Sequence, residues 1–157
     1  KELDPKYINV QVADKFAASV IPLPEDRTFL ARMIYEGKKL YLQDLFVPHT
    51  KEEDRILYSP EEYAWAFDNE VYVWQYFVEK QVLYQTQPEW VQRFIEPAPF
   101  SKFYLQLDNE TPGRIGSWLG WQIVKSYVAH YPEMPLDDLL RLPAQKLFNL
   151  SKYKPKR

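Results

Sequence analysis

Cysteine is absent from this chain, and glycine and histidine are scarce, with four glycines and two histidines among 157 residues. The lack of cysteine excludes disulfides and thiol catalysis. Charge is nearly balanced, with 20 lysines and arginines against 22 aspartates and glutamates, so no overall field indicates a nucleic-acid or acidic-lipid partner. No apolar run approaches the roughly 18 residues that a membrane-spanning helix needs.

Aromatic residues, by contrast, are abundant. They make up 17% of the chain and hydrophobic residues 46%, which is too rich in burial-prone surface for a disordered segment. A chain of 157 residues is long enough for one domain with a substantial core and too short for two. We therefore expect residues 1–157 to form a single domain.

Apolar residues recur at helical spacing along most of the chain, and prolines separate the segments. The clearest start is SPEE, where Ser59 caps, Pro60 takes the first helical position and Glu62 completes a capping box. Segment 100–110 alternates apolar and polar residues, which fits a short strand or an extended segment; we favour the extended segment because no partner strand is evident. The pattern predicts a mainly α, compact multi-helix domain of five to seven helices: 10–21, 27–47, a central helix 60–80, a short helix after Pro88, 111–129, and two short helices separated by Pro143, with a polar connector over 48–57.

Three of the four glycines, Gly113, Gly116 and Gly120, fall within TPGRIGSWLGWQIVKSY, which is otherwise typical of one amphipathic helix. Each glycine costs a helix interior about 1 kcal/mol relative to alanine, so three of them need a reason. On a helical wheel they form one strip, where the lack of Cβ atoms lets another backbone approach. We favour close helix packing; the functional alternative is the floor of a groove for a peptide segment.

Residue types that carry catalysis or hold nucleotides and metals have no recognised spacing here. The glycine segment lacks GxxxxGK[ST], which argues against a nucleotide site, and no serine lies in GxSxG. The two histidines, His49 and His130, form no HxxxH or HExxH pair. We expect no cofactor, no metal and no catalytic residue.

Four blocks of the chain, taken in order, carry a resemblance to a known family: MIYEGKKLYLQDLFVP, WAFDNEVYVWQYFVEKQVLYQT, RFIEPAPFSKFYLQLDNETPGRIGSWLGWQIVKSYV and LSKYKPKR. Together they resemble the C-terminal half of the gliding-motility-associated lipoprotein GldB of Bacteroidota, over nearly the whole chain. The resemblance implies a periplasm-facing cell-envelope lipoprotein, needed for gliding and for type IX secretion. It implies a lipid anchor carried ahead of this segment, partners among other envelope proteins of the gliding or secretion machinery, and no nucleic acid.

That family is similar, more distantly, to zinc peptidases of the gluzincin-like kind, which carry HExxH on a long helix. The corresponding residues here read YEGKK, so Tyr35 and Lys39 stand where two imidazoles would bind metal and only Glu36 is retained. A protonated lysine repels Zn²⁺ and a neutral phenol is a poor ligand, so we expect a zincin-like scaffold without metal. Glu36 and Lys39, three residues apart on one helical face, can instead form an ion pair.

Our leading hypothesis is a non-catalytic binding or assembly module, a pseudoenzyme whose inherited cleft contacts another envelope protein. The candidate contact residues are Tyr35, Glu36, Lys39, Glu110, Arg114 and Trp118. The competing hypothesis is a zinc metallopeptidase with atypical ligands, drawn from His49 or His130 with Glu36 and Glu110. A third is a small-ligand pocket lined by Trp65, Trp74, Trp118 and Trp121, for which burial in the core is the simpler explanation.

Overall fold

The computed structural model describes residues 4–97, 101, 103 and 110–156. Within these ranges the chain is helical and contains no β-strand, which confirms the mainly α fold. The predicted extended segment 100–110 lies outside the described residues except for Ser101, Phe103 and Glu110. The α-helices in these ranges are α1 (Ile8–Val20), α2 (Phe29–Phe46), α3 (Glu52–Arg55), α4 (Pro60–Asp68), α5 (Glu70–Glu79), α6 (Pro88–Phe94), α7 (Ile115–His130), α8 (Leu136–Arg141) and α9 (Ala144–Ser151), with 3₁₀ turns at Pro5–Tyr7 and Val82–Tyr84.

Helix α2 lies at the centre of the fold. Thr28 caps its N-terminus, because the Thr28 hydroxyl accepts the Ala31 N–H at 3.2 Å. Helices α1, α7 and α9 all pack against α2. As a result 12 of its 18 residues are buried, polar ones among them.

The segment predicted as one central helix, 60–80, forms two helices at the side of the core. Its start is as predicted: the Ser59 hydroxyl accepts the Glu62 N–H at 3.1 Å, and the Glu62 carboxylate accepts the Ser59 N–H at 2.7 Å. The chain leaves helical geometry at Asn69 (φ −113°, ψ 9°), and Ala66 is the only buried residue of α4. The expected central position was therefore wrong. This break, together with α3 inside the predicted polar connector, raises the count within the described ranges from the expected five to seven helices to nine.

The close backbone approach predicted for the glycine segment occurs between α2 and α7. A Cβ atom at Gly120 would overlap the carbonyl group of Met33. One at Gly37 would overlap the Gly120 carbonyl and lie 2.8 Å from the backbone nitrogen of Trp121. The two helices thus cross backbone against backbone, as a packed interface rather than as an open groove.

The predicted start of the glycine helix was wrong. Arg114 has a φ of 61°, in the left-handed region, so α7 begins only at Ile115 and Gly113 lies in the turn before it. Gly113 therefore does not belong to the glycine strip. Its carbonyl oxygen accepts the Tyr58 hydroxyl at 2.6 Å, which ties this turn to the segment before α4.

Gly116 lies inside α7, but its closest contacts are with residues at the end of α6. A Cβ there would lie 3.0 Å from the Phe94 carbonyl oxygen and 3.0 Å from the Ile95 side chain. It would also lie 3.1 Å from the ring of Phe29, the first residue of α2. The glycine therefore admits the end of α6, the residue after it and one side chain of α2, but not the backbone of α2.

Of the four apolar residues whose spacing predicts α1, namely Val12, Phe16, Ala17 and Val20, only Ala17 is buried and the other three are exposed. Phe16 and Val12 are about half exposed or more, and Phe16 packs edge-on against Phe46 with ring centroids 5.1 Å apart. The helix itself is as predicted; the face that it buries is the adjacent one, formed by Val10, Ala13 and Ala17.

Candidate functional site

A polar stripe on α2 forms the floor of a groove. Arg32, Glu36, Lys39 and Gln43 follow one another at i, i+4, i+7 and i+11, which places them on one face of the helix. The groove above them has a volume of about 370 Å³ and runs between α1 and the turn at Arg114. We call it the charged groove. Besides the stripe, its charged lining consists of Asp14, Lys15, Arg55, Glu96 and Arg114.

Ion pairs bind the floor of the charged groove to α1. Lys39 Nζ lies 3.4 Å from Glu36 Oε2, so the predicted ion pair is confirmed, and 3.2 Å from Asp14 Oδ1. Arg32 Nε lies 3.9 Å from the other Glu36 oxygen. The Glu36 carboxylate, on a residue only 8% exposed, is thus held between two cations. Only Glu36 and Lys39 of this set are largely buried, and their pairing offsets much of the cost of removing them from water.

One wall of the charged groove is built from strained backbone. Arg114 and Leu57 both line it, and both have left-handed φ angles, 61° and 63°, which are unfavourable for residues other than glycine by about 1 kcal/mol or more. Two hydrogen bonds hold these segments together: Arg114 Nη1 donates to the Ile56 carbonyl at 3.0 Å, and Tyr58 donates to Gly113. Burial raises the pKa of Tyr58 well above its usual value, so the phenol stays a donor.

A buried charge network supports the end of the charged groove. Arg55 Nη1 donates to Asp44 Oδ1 at 2.6 Å, and Arg55 Nη2 donates to the carbonyl oxygens of Val47 and Pro48. The other Asp44 oxygen accepts the Trp121 indole N–H at 2.9 Å. Burial raises the pKa of Asp44, although the Trp121 hydrogen bond and nearby cations oppose this. Arg55 is therefore fixed in position at the groove.

The structure places the predicted contact residues in different surroundings. Glu36, Lys39 and Arg114 line the charged groove. Tyr35 is not among the residues that line it; it lines a second cavity with Lys38 and Pro143. Glu110 is exposed and is not among the residues that line the groove. Trp118 is fully buried and packs edge-on against Phe67, so placing it in the cleft was wrong.

The atypical zinc ligands are not brought together. His49 and His130 are both exposed, and His130 Nδ1 lies 2.8 Å from the Ser126 carbonyl oxygen of its own helix. Across the part of the chain that the structure describes, no three histidine, aspartate or glutamate residues are grouped so that they could hold a metal ion.

The four tryptophans of the predicted small-ligand pocket are also separate. Trp118 and Trp121 are fully buried, and Trp74 packs edge-on against Tyr153. Trp65 lines a shallow cavity of about 400 Å³ with Tyr72. These side chains contribute to packing, which agrees with the simpler explanation.

Sequence reasoning missed several residues of the charged groove. Arg32 and Gln43 could have been found, because they extend the polar stripe of Glu36 and Lys39 along an otherwise apolar helix. Asp14 and Arg55 give no such signal, since they lie on other helices and reach the groove only through tertiary packing.

Lys38 lies on the side of α2 that faces the second cavity, and its burial should make the stability of the protein depend on pH. The residue is 6% exposed, and its ammonium donates to the carbonyl oxygens of Leu140 at 3.1 Å and Leu142 at 2.7 Å. Burial lowers the pKa of Lys38 to about 8 from the ordinary 10.5. Between these values the unfolded chain binds more protons than the folded one, so this group makes the free energy of unfolding increase as pH rises.

Raising the pH from about 7.5 to about 9.5 is expected to change the free energy of unfolding differently in the wild type and in Lys38→Met. The wild type should become more stable, relative to the variant, by on the order of 1 kcal/mol. Urea unfolding of both proteins at the two pH values measures this difference, in which titrations shared by the two proteins cancel. Parallel pH profiles would contradict it.

The class of protein follows from comparison with known families. A family model described as "Gliding motility protein GldB" matches residues 1–155, and the chain therefore belongs to this family of gliding-motility lipoproteins. The resemblance seen in the sequence is confirmed, and with it a relation to gliding motility and to the cell envelope. No curated protein and no solved structure matches the chain. The similarity to zinc peptidases stays a prediction. Among the residues described, no helix is both long and apolar enough to cross a bilayer.

Proposed function

We propose that this chain is a non-catalytic, periplasm-facing domain of a gliding-motility lipoprotein, and that it acts in assembly by binding another envelope protein through the charged groove. Its partners belong to the gliding machinery or to the type IX secretion machinery. The scaffold derives from a peptidase-like ancestor. In the whole protein a lipid anchor supplies the attachment to the membrane.

The surroundings of Glu36 are the observation that carries the proposal. Lys39, at the position of a metal-binding imidazole, is an ammonium paired with Glu36 and Asp14. A cation at this point repels Zn²⁺, and a carboxylate held between Lys39 and Arg32 is poorly placed to act as a general base. The same ion pairs give the groove a fixed pattern of both charges, which suits selective recognition of a protein surface.

Partner capture tests the proposal. Purified domain is immobilised and exposed to a detergent extract of the envelope of a gliding bacterium, and captured proteins are quantified by mass spectrometry. We expect Arg114→Gln and Lys39→Gln to reduce capture of the specific partner at least about fivefold, because each removes a charge that lines the groove. Arg27→Gln is the matched control, since Arg27 is exposed and lies outside the groove lining. Circular dichroism checks that all variants fold.

Two results would contradict the proposal. Capture that is unchanged by both groove variants would remove the groove from the function, and loss of capture with Phe16→Ser alone would move the contact to the exposed face of α1. Stoichiometric zinc that survives dialysis of the purified protein would favour the metallopeptidase alternative instead.

A further inference from the structure

Unsatisfied polar atoms on the floor of the charged groove indicate the chemistry of its ligand. Within the described part of the chain, Gln43 Oε1, Arg55 Nε and Arg32 Nε are buried without a hydrogen-bond partner, and all three residues line the groove. Gln43 is 1% exposed and Arg55 6%. Folded proteins rarely leave such atoms unpaired, because each costs about 1–3 kcal/mol. Arg32 Nε already lies 3.9 Å from a Glu36 oxygen, so the groove offers one acceptor, Gln43 Oε1, and one donor, Arg55 Nε, to an occupant.

The charge balance of the groove favours an occupant that carries a carboxylate. Five cationic side chains and three carboxylates line it. Lys39, Arg32 and Arg55 each have a carboxylate partner. Arg114 has none within the described ranges; its Nη1 is held by the Ile56 carbonyl, which fixes the guanidinium and leaves its other N–H groups available. A fixed guanidinium is well suited to bidentate binding of a carboxylate.

The length of the groove fits an extended chain. The stripe from Arg32 to Gln43 covers 11 residue steps of α2, or about 16 Å at the helical rise. An extended peptide of about five residues covers the same distance. Its backbone presents N–H and C=O groups in alternation, which are the partners that Gln43 Oε1 and the Arg55 Nε–H group lack.

We propose that the charged groove binds an extended acidic peptide segment, whose carboxylate pairs with Arg114 while its backbone hydrogen-bonds to Gln43 and Arg55. This inference rests on the proposed binding function and names the kind of segment that the partner supplies. A small inorganic anion would leave the Gln43 acceptor unpaired. A polyphosphate chain would meet Asp14, Glu36 and Glu96, all of which line the groove.

Selection from a peptide library tests the inference without knowledge of the partner. A phage-displayed library of random peptides about seven residues long, enough to exceed the groove, is selected against wild type, Arg114→Gln and Arg27→Gln in parallel. We expect peptides enriched on wild type to contain more aspartate and glutamate than the input library. That excess is lost on Arg114→Gln and kept on Arg27→Gln. Fluorescence polarisation of the best peptide gives an affinity at least about tenfold weaker for Arg114→Gln.

A second variant separates binding from folding. Gln43→Met removes the unpaired acceptor together with the long 3.4 Å hydrogen bond that Gln43 Nε2 donates to Asp14, which keeps Lys39 as a partner. Because the volume changes little and the two losses oppose each other, the free protein should be about as stable as wild type. A bound peptide would lose its hydrogen bond to Gln43 Oε1, so its affinity for Gln43→Met should be about threefold to tenfold weaker than for wild type. A purely structural role of Gln43 would instead lower stability and leave the affinity unchanged.

The outcomes separate this inference from the proposed function. No enriched peptide, no acidic excess, or an excess that persists on Arg114→Gln would overturn the acidic-peptide inference. If envelope-protein capture still depended on the groove in that case, the proposed function would stand with another kind of ligand. If capture were also insensitive to the groove variants, both would fall.

Discussion

Replacing Gly120 by alanine is expected to destabilise the protein by more than about 3 kcal/mol, enough to leave much of it unfolded. The added Cβ would overlap the Met33 carbonyl, which is backbone of the central helix and cannot rotate away. Relief therefore requires α2 and α7 to move apart, and this would loosen the largest helix interface of the fold. Thermal or urea unfolding followed by circular dichroism measures the loss.

Gly116→Ala is the matched control for this prediction, because it lies on the same helix and gains the same helix propensity of about 1 kcal/mol. Its Cβ would lie 3.0 Å from the Phe94 carbonyl oxygen and from the Ile95 side chain, tight contacts that a shift of a few tenths of an ångström relieves, whereas the Cβ at Gly120 would overlap backbone. We expect a change smaller by about 2 kcal/mol or more than that of Gly120→Ala. Equal effects of the two substitutions would show that the α2–α7 crossing tolerates a side chain.

Replacing Asp44 by alanine is expected to cost about 3–5 kcal/mol of unfolding free energy. The substitution leaves the Arg55 guanidinium, 7% exposed at its side chain, without its counterion, and it also removes the acceptor of the Trp121 indole N–H. A buried charge that loses its partner keeps its desolvation cost and loses the attraction that offset it. Urea unfolding measures the change.

The exposed pair of Asp137 and Arg141 supplies the control. Its two side chains are 76% and 69% exposed, so Asp137→Ala should change stability by less than about 0.5 kcal/mol. A small effect of Asp44→Ala, comparable with that of the control, would mean that water already screens Arg55. In that case Arg55 would not be the rigid wall that the groove requires.

Local sequence signals predicted most of the helices and failed at their joints. Ser59 and Glu62 form the capping box that their spacing predicts, because a cap depends on residues within one turn. The break at Asn69 and the left-handed Arg114 are not visible in the pattern: both residue types are tolerated in helices, and the hydrogen bonds that hold Arg114 come from Ile56 and, through Gly113, from Tyr58. The predicted start of α7 was wrong because these hydrogen bonds come from segments far away in the sequence.

The candidate site was predictable to a similar extent. Glu36 and Lys39 were singled out by comparison with the HExxH motif of zinc peptidases, a similarity that stays a prediction, and their ion pair follows from helical spacing alone. Trp118 was misplaced because a tryptophan near a charged turn looks the same in sequence whether it faces a groove or the core. Its burial depends on Phe67, which lies on another helix.

The sequence by itself determined the helical class, the caps and proline boundaries and the family, because these depend on residue identity and on neighbours within a few positions. Only the tertiary structure decided which face of α1 is buried, that Gly37 is the partner of Gly120, and that Asp14, Arg55 and Arg114 meet over the polar stripe of α2. These features arise where segments far apart in the chain pack against the same central helix, α2. Helical periodicity shows that a face exists, and packing decides what covers it.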